Sequence, residues 1–392
     1  MKKLGLYIHI PFCSSKCGYC DFFSARHSEK VMDQYLTALL MHVREYGDTP
    51  LIGYEIDSIF IGGGTPSFFG ERRILSLIKE IYKTMNVTRD CEFTVEVNPN
   101  SADASLFRGL RKAGVNRLSI GLQSCIDTEL TLLGRTHSFH DFSVCYENAR
   151  RAKFDNISID LMYGIPSQDL KSFAHSLDTV IRLAPAHVSL YGLKIEDGTP
   201  FAAKKTILAL PEEEEERRMY FLAISKLEDY GLYQYEISNF SRDGRQCRHN
   251  TKYWNCEEYI GLGPAAHSYF CGSRYSYKGD LELYITSFTK DALESADYDI
   301  YKSGGIYDDY FEISPKEQIN EYVMLRLRLT EGVNTADFKS RFGVDFDSIF
   351  LEELKPFIKS THVVKTKHGY AFSPEGMYVS NYILSRVLSF NL

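Results

Sequence analysis

Three cysteines stand close together near the start of the chain, in the run Cys13-Ser-Ser-Lys-Cys17-Gly-Tyr-Cys20. The spacing C-x3-C-x2-C offers three thiolates. A structural zinc site takes four ligands, usually from paired C-x2-C units, and the only imidazoles near this run are His9 and His27. A cubane iron–sulfur cluster has four iron corners, each wanting one ligand. Three thiolates would leave one iron open to an exogenous ligand, as a catalytic zinc site keeps one position open. On spacing alone, cluster and zinc both stand. The other six cysteines, Cys91, Cys125, Cys145, Cys247, Cys256 and Cys271, are scattered and read as small apolar filler.

Something must hold such a run in place, and the first half of the chain supplies it by repetition. Six short β-branched runs, Leu4–Ile10, Asp57–Ile61, Glu92–Val97, Arg117–Leu122, Ile157–Met162 and Val188–Leu193, alternate with amphipathic stretches at Val31–Tyr46, Glu71–Met85, Ala104–Ala113, Phe139–Ala152 and Leu170–Leu183. Strands alternating with helices predict βαβ units and a parallel sheet. The unusual residues fall near the strand ends. The cysteines follow the first run, Gly62-Gly63-Gly64-Thr65-Pro66 ends the second, Glu96 lies on the third, Gln123 follows the fourth, Asp160 is within the fifth and Lys194 follows the sixth. Parallel barrels build their sites on that rim, whereas a doubly wound sheet concentrates them at one switch point. The pattern predicts an α/β fold with a partial six-stranded (β/α) barrel.

Beyond about residue 205 the pattern changes. Pro211 and the acidic run Glu212–Glu216 predict a helix start, continuing to Tyr230, because acidic residues suit a helix N-terminus. Residues 231–310, rich in Tyr, Gly and Asn, read as irregular. Helices at Glu317–Arg328 and Thr335–Arg341, strands at Val363–Lys367 and Tyr370–Phe372, and a helix near Tyr378–Leu388 predict a C-terminal α+β, winged-helix-like unit. Three parts are expected: a core barrel over 1–235, an irregular insert over 236–314 and the small C-terminal unit over 315–392.

Bulk properties narrow the classes. With 392 residues and 44% hydrophobic content the chain can bury a large core, and a net charge of -7 argues against nucleic acid as a partner, also for the winged-helix-like unit. No apolar run approaches the ~18 residues of a membrane span, and no secretory signal is read at Met-Lys-Lys. Nine cysteines are an odd number for a disulfide framework, so the expected location is the reducing cytoplasm.

The cysteine run after a first strand, Tyr19 before its third cysteine and Gly-Gly-Gly-Thr-Pro after a second strand together resemble the radical S-adenosylmethionine superfamily. The resemblance implies a barrel of radical-SAM type with a 4Fe–4S cluster on Cys13, Cys17 and Cys20. Its open iron would be chelated by the amino and carboxylate groups of S-adenosylmethionine, and reduction would yield methionine and a 5′-deoxyadenosyl radical. It further implies an electron donor such as a flavodoxin or ferredoxin. The stretch Tyr7-Ile-His-Ile-Pro-Phe-Cys13 narrows the likeness to the oxygen-independent coproporphyrinogen III oxidase group and its haem-chaperone relatives. By that resemblance Tyr7, Gly63, Gly64, Thr65, Glu96, Gln123, Arg135, Asp160 and Lys194 are cofactor contacts; no catalytic residue is assigned. The residue types suit the task, since carboxylates accept from a ribose diol and a guanidinium grips a carboxylate.

The chain departs from the oxidases at two places. They carry a further cysteine two residues after the third, where this chain has Phe22, and an N-terminal extension before the opening strand, where this chain has three residues. Both departures match the haem-chaperone relatives, as does His249-Asn-Thr-Lys-Tyr253-Trp254, similar to their H-N-x-x-Y-W motif. Imidazole is a common axial ligand of haem iron, and His249 is therefore expected to bind haem. Gly261-Leu-Gly-Pro-Ala-Ala-His267-Ser resembles a glycine-rich loop near the group's site. The expected function is haem binding and delivery to a haem-accepting protein; the alternative is oxidative decarboxylation of coproporphyrinogen III.

Overall fold

The structure, a computed structural model, describes residues 1–48, 51–289 and 305–388. Six strands, β1 (Lys2–Ile10), β2 (Tyr54–Gly63), β3 (Val87–Val97), β4 (Arg117–Gln123), β5 (Asn156–Tyr163) and β6 (His187–Gly192), lie side by side in chain order. Every neighbouring pair among them is parallel. Between them run α1 (Glu29–Asp48), α2 (Pro66–Phe69), α3 (Glu71–Thr84), α4 (Ala104–Lys112), α5 (Asp127–Leu132), α6 (Phe139–Arg151) and α7 (Leu170–Arg182). The six-stranded partial barrel read from sequence is present, and each predicted strand and helix overlaps an observed one.

Alternation along each strand divides its residues between two faces. On β1, Leu4, Leu6, Ile8 and Ile10 are fully buried and belong to the large apolar core. The intervening Gly5, Tyr7 and His9 face the barrel interior. The same division sets Phe93, Val95 and Val97 of β3 in the apolar core, with Glu92, Thr94 and Glu96 between them. On β4 to β6 the residues that alternate with the core-facing Leu118, Ile159 and Val188 are polar: Arg117, Ser119, Ser158, Asp160 and Ser189. The sheet thus has a greasy outside under helices and a polar inside. The helices are stopped and started by ordinary caps: Ser138 and Asp169 each make a reciprocal capping box with the residue three positions on.

The reading of 231–310 as irregular is corrected by the structure. After α8 (Glu213–Asp229), the strands β7 (Tyr233–Glu236) and β8 (Asn239–Ser241) extend the β6 edge antiparallel. Helix α9 (Arg248–Trp254) follows. Strand β9 (Tyr259–Leu262) pairs parallel to β1, and β10 (His267–Phe270), β11 (Ser273–Tyr277) and β12 (Tyr307–Glu312) continue the sheet to twelve strands, with α10 (Leu281–Ser287) packed on α1. These strands are short and carry tyrosines where aliphatics are usual. Tyr275, Tyr277 and Tyr307 bury their rings together, and tyrosine packs well on a pleated surface. Part of the predicted insert, residues 290–304, lies outside the described residues.

The C-terminal unit has its own core, built on Val323, Leu327, Phe338, Phe346, Phe350 and Ile383. It comprises α11 (Pro315–Arg326), β13 (Val333–Asn334), α12 (Thr335–Phe342), α13 (Phe346–Lys359), the hairpin β14 (Val363–Lys365) and β15 (Gly369–Phe372), α14 (Pro374–Tyr378) and α15 (Ser380–Val387). Strand β13 adds to the far edge of β15, making a three-stranded antiparallel sheet. Helix α13 was not expected from sequence; Pro356 inside it breaks the pattern, since a proline removes one helical hydrogen bond. No described helix is long and apolar enough to cross a membrane.

Candidate functional site

The cysteines lie on the loop leaving β1, at the rim formed by the C-terminal strand ends. Backbone bonds pin that loop: Cys13 N donates to Ala25 O at 3.1 Å, Gly18 N to Leu133 O at 3.0 Å and Phe201 N to Gly18 O at 2.9 Å. A Cβ on Gly18 would stand 2.3 Å from the Phe201 ring, so the loop closes onto the segment after β6 only without a side chain there. All three thiols are partly exposed. Cys13 Sγ lies 3.3 Å from Thr65 Oγ1, and Arg135 Nη1 donates to Cys17 Sγ at 3.7 Å. Burial raises the Cys20 thiol. Among the described residues no three His, Cys, Asp or Glu side chains gather as ligands of one metal ion. Three separate thiols on one pinned loop fit a polynuclear cluster, in which each sulfur takes its own iron.

The glycine turn at the end of β2 leans on the same loop. Gly64 N donates to Ile10 O at 2.8 Å and Thr65 N to Phe12 O at 2.7 Å. Gly63 has φ +106°, and a Cβ there would sit 2.5 Å from the His9 ring, so only glycine serves. Its N–H donates to Glu96 Oε2 at 3.1 Å.

Tyr7, Glu96, Asp160 and His249 line one cavity of about 260 Å³ inside the barrel. Asp160 accepts from Ser119 Oγ at 2.9 Å and from Ser158 Oγ at 3.3 Å. Burial and the nearby Asp160 push the Glu96 carboxyl up to about 8, and burial likewise raises Asp160. Tyr7 donates toward or accepts from His9 Nδ1 at 3.0 Å. Burial lowers His9 to about 4, leaving it neutral. Gln123, with φ +71°, ends β4 beside Arg135: a Cβ on Gly121 would lie 3.1 Å from both side chains. Gly121 pairs with Asp160 across the strands, and Arg135 Nη2 donates to Gly121 O at 2.9 Å. The Nε atoms of Arg117 and Arg135 are buried with no hydrogen-bond partner among the described residues. Buried donors normally have partners; Arg117 lines the cavity and Arg135 reaches Cys17, so these two orphans suit a ligand with acceptor groups, such as a carboxylate or ribose.

Two expected residues are placed otherwise than their expected roles require. Lys194 is exposed and paired with Glu196, and it is not among the residues that line the cavity. His249 borders the cavity but is fully buried, on α9 rather than in a surface loop. Its Nδ1 meets Ser58 Oγ at 3.0 Å and its Nε2 meets Tyr253 Oη at 2.7 Å, so neither nitrogen is left for iron. The ring stacks on Phe60, and burial together with Lys252 lowers it to about 3. Sequence reasoning missed Arg117, Ser119 and Ser189, which also line the cavity. Their signal was present as polar residues at alternate strand positions.

Residues 7–180 match the family model of the Radical SAM superfamily, and residues 313–379 that of the HemN C-terminal domain. The heme chaperone HemW of Bacillus subtilis (strain 168) is 36% identical over 389 residues, covering 97% of this chain and 98% of that protein. Heme chaperone HemW of Lactococcus lactis is 30% identical over 389 residues, covering 99% and 98%. Among solved structures, coproporphyrinogen III oxidase (HemN) from Escherichia coli, a radical SAM enzyme, superposes with a TM-score of 0.84 at 22% identity, over 100% of this chain and 91% of that one. That likeness is one of fold.

Proposed function

From the premise that this chain belongs to the radical SAM superfamily, and within it to the family of the proteins named heme chaperone HemW, we propose that it binds haem and delivers it to haem-accepting proteins. The observation that carries this reading is the likeness to those chaperones over nearly the full length of both chains. Phe22, where the oxidases carry a further cysteine, agrees with it.

Cys13, Cys17 and Cys20 would hold a 4Fe–4S cluster. Gly63, Gly64, Thr65, Glu96, Gln123, Arg135 and Asp160 would hold S-adenosylmethionine, with Tyr7 beside it. When bound, these groups supply a one-electron reducing centre with an open coordination position, served by a small electron-transfer protein. The chain's own part is positional. The Gly63 N–H and the protonated Glu96 offer donors, Asp160 offers acceptors, and the Arg135 guanidinium spans from Cys17 to the β4 strand end. The division into a barrel over 1–235, an insert over 236–314 and a C-terminal unit over 315–392 belongs to the same reading, and nine free thiols accord with the cytoplasm.

The test is anaerobic reconstitution followed by haem titration and an assay with coproporphyrinogen III. About four irons per chain, haem retained through gel filtration and no decarboxylation are expected. Failure to retain haem, or robust formation of protoporphyrinogen IX, would overturn the chaperone reading.

A further inference from the structure

Resting on that reading, we infer that the imidazole offered to haem iron is His267, on the barrel rim, with Phe22 as the face against which the macrocycle lies.

Haem is a flat, largely apolar disc with an iron open on both faces and two carboxylates at one edge. A protein that hands it on needs a ligand that can be exchanged, and exchange is easiest where the iron is reachable from solvent. His249 does not meet that need. It is fully buried, both ring nitrogens are engaged, and the cavity it borders is about 260 Å³. Ligand sites are commonly ~300–1,000 Å³, so this one has no room for a macrocycle beside the groups around Glu96.

His267 is the first residue of β10 and is exposed. Its ring nitrogens have no hydrogen-bond partner among the described residues. It stands at the C-terminal end of β9, which pairs with β1 through Leu262 and Ile8, so it shares the rim with the cysteine loop. It lies close enough to His9 for the two rings to influence one another electrostatically. His9 also contacts Phe23, the neighbour of Phe22 in the chain: His9 Nε2 meets Phe23 O at 2.8 Å, and the His9 and Phe23 rings are 6.5 Å apart. Gly279, just beyond β11, approaches Phe23 so closely that a Cβ would sit 3.1 Å from its ring. Phe22 itself is 61% exposed and borders the cavity mouth. The exposed Phe22 ring and the unengaged His267 imidazole thus flank His9 through Phe23 on the same rim. Arg26, exposed at the same loop, supplies a cation for a propionate.

The step is ligand exchange. A His267 ring nitrogen donates its lone pair to iron and a water leaves; on transfer, the recipient's ligand takes that position and the His267 lone pair is released. No electron changes hands.

Haem titration of the wild-type protein, His267→Ala and Phe22→Ala tests this by absorption spectroscopy. His267 is exposed, so the substitution leaves the fold intact. His267→Ala is expected to change the Soret and visible bands and to weaken binding at least about tenfold, roughly the loss of 1.4 kcal/mol; added imidazole should restore the spectrum. Phe22→Ala should weaken binding while the wild-type bands persist. If wild type binds haem and His267→Ala matches it in spectrum and affinity, this ligand assignment is wrong while the chaperone reading stands. If wild type binds no haem, the chaperone reading itself fails.

Discussion

At the residue scale, Glu96 is the most consequential side chain in the cavity. It faces a second carboxylate, Asp160, and burial holds its proton up to about 8, against an ordinary value of 4.5. A carboxyl whose value in the fold lies above its unfolded value binds its proton more tightly when native. Native stability therefore falls as pH rises from about 4.5 to about 8 and levels off above that. Glu96→Gln removes this ionisation. The variant is expected to melt higher than wild type at pH 8.5, with the difference shrinking as pH falls toward 4.5. Equal gaps at both pH values would show that Glu96 is not the group responsible. The cost is one that a binding site accepts, because a ligand with hydroxyl donors recovers it.

At the element scale, the turn ending β2 is held against the loop ending β1 by contacts that leave no space for a side chain. A Cβ on Gly64 would stand 2.7 Å from Phe12 O, 2.8 Å from Ile10 O and 2.9 Å from Phe12 N. All three are backbone atoms, so a change of rotamer cannot relieve the clash. Gly64→Ala is expected to cost on the order of 1–3 kcal/mol. It should also weaken S-adenosylmethionine binding by displacing the Gly63 N–H from Glu96. Thermal melting and calorimetric titration check the two effects; a wild-type melting temperature would mean that the two loops separate easily. The same closeness explains why the cysteine run can be short: β1, the glycine turn and the segment at Phe201 hold it from three sides.

For the whole molecule, one tie among several between barrel and C-terminal unit runs through α9. Arg326 of α11 donates to Asn255 Oδ1 at 2.5 Å and to Gly332 O at 3.1 Å, and Arg341 of α12 donates to Asn255 O and Cys256 O. Asn255 is the C-cap of α9, the helix whose first turn carries His249. Docking of the C-terminal unit thus steadies the helix that floors the barrel cavity. Arg326→Ala should destabilise the protein by about 1.5–3 kcal/mol, the usual range for hydrogen bonds to a charged group. Trp254, the sole tryptophan, ends α9 and reports on it. Its emission should change in the same denaturation transition, at lower denaturant than in wild type. An unshifted transition would show that the two parts hold together without this contact.

Much of this was legible in the residues themselves. The alternation of β-branched runs with amphipathic stretches gave the six parallel strands, because each element must bury one face. The order of Cys13, Gly63, Glu96, Gln123 and Asp160 along those runs gave the rim. Three things were decided only by tertiary contacts. The strands between β7 and β12 are too short and too rich in tyrosine to announce themselves, and they exist because an open sheet edge was there to pair with. Lys194 holds its side chain in solvent, paired with Glu196 and away from the cavity lining, which no local pattern signals. His249 carried the expected ligand type, but whether an imidazole can bind iron depends on what else its two nitrogens touch. Ser58 and Tyr253 occupy them, and Ser58 lies on β2, far away in sequence. Side-chain chemistry is written along the chain; the freedom to use it is set by neighbours that only the fold brings near.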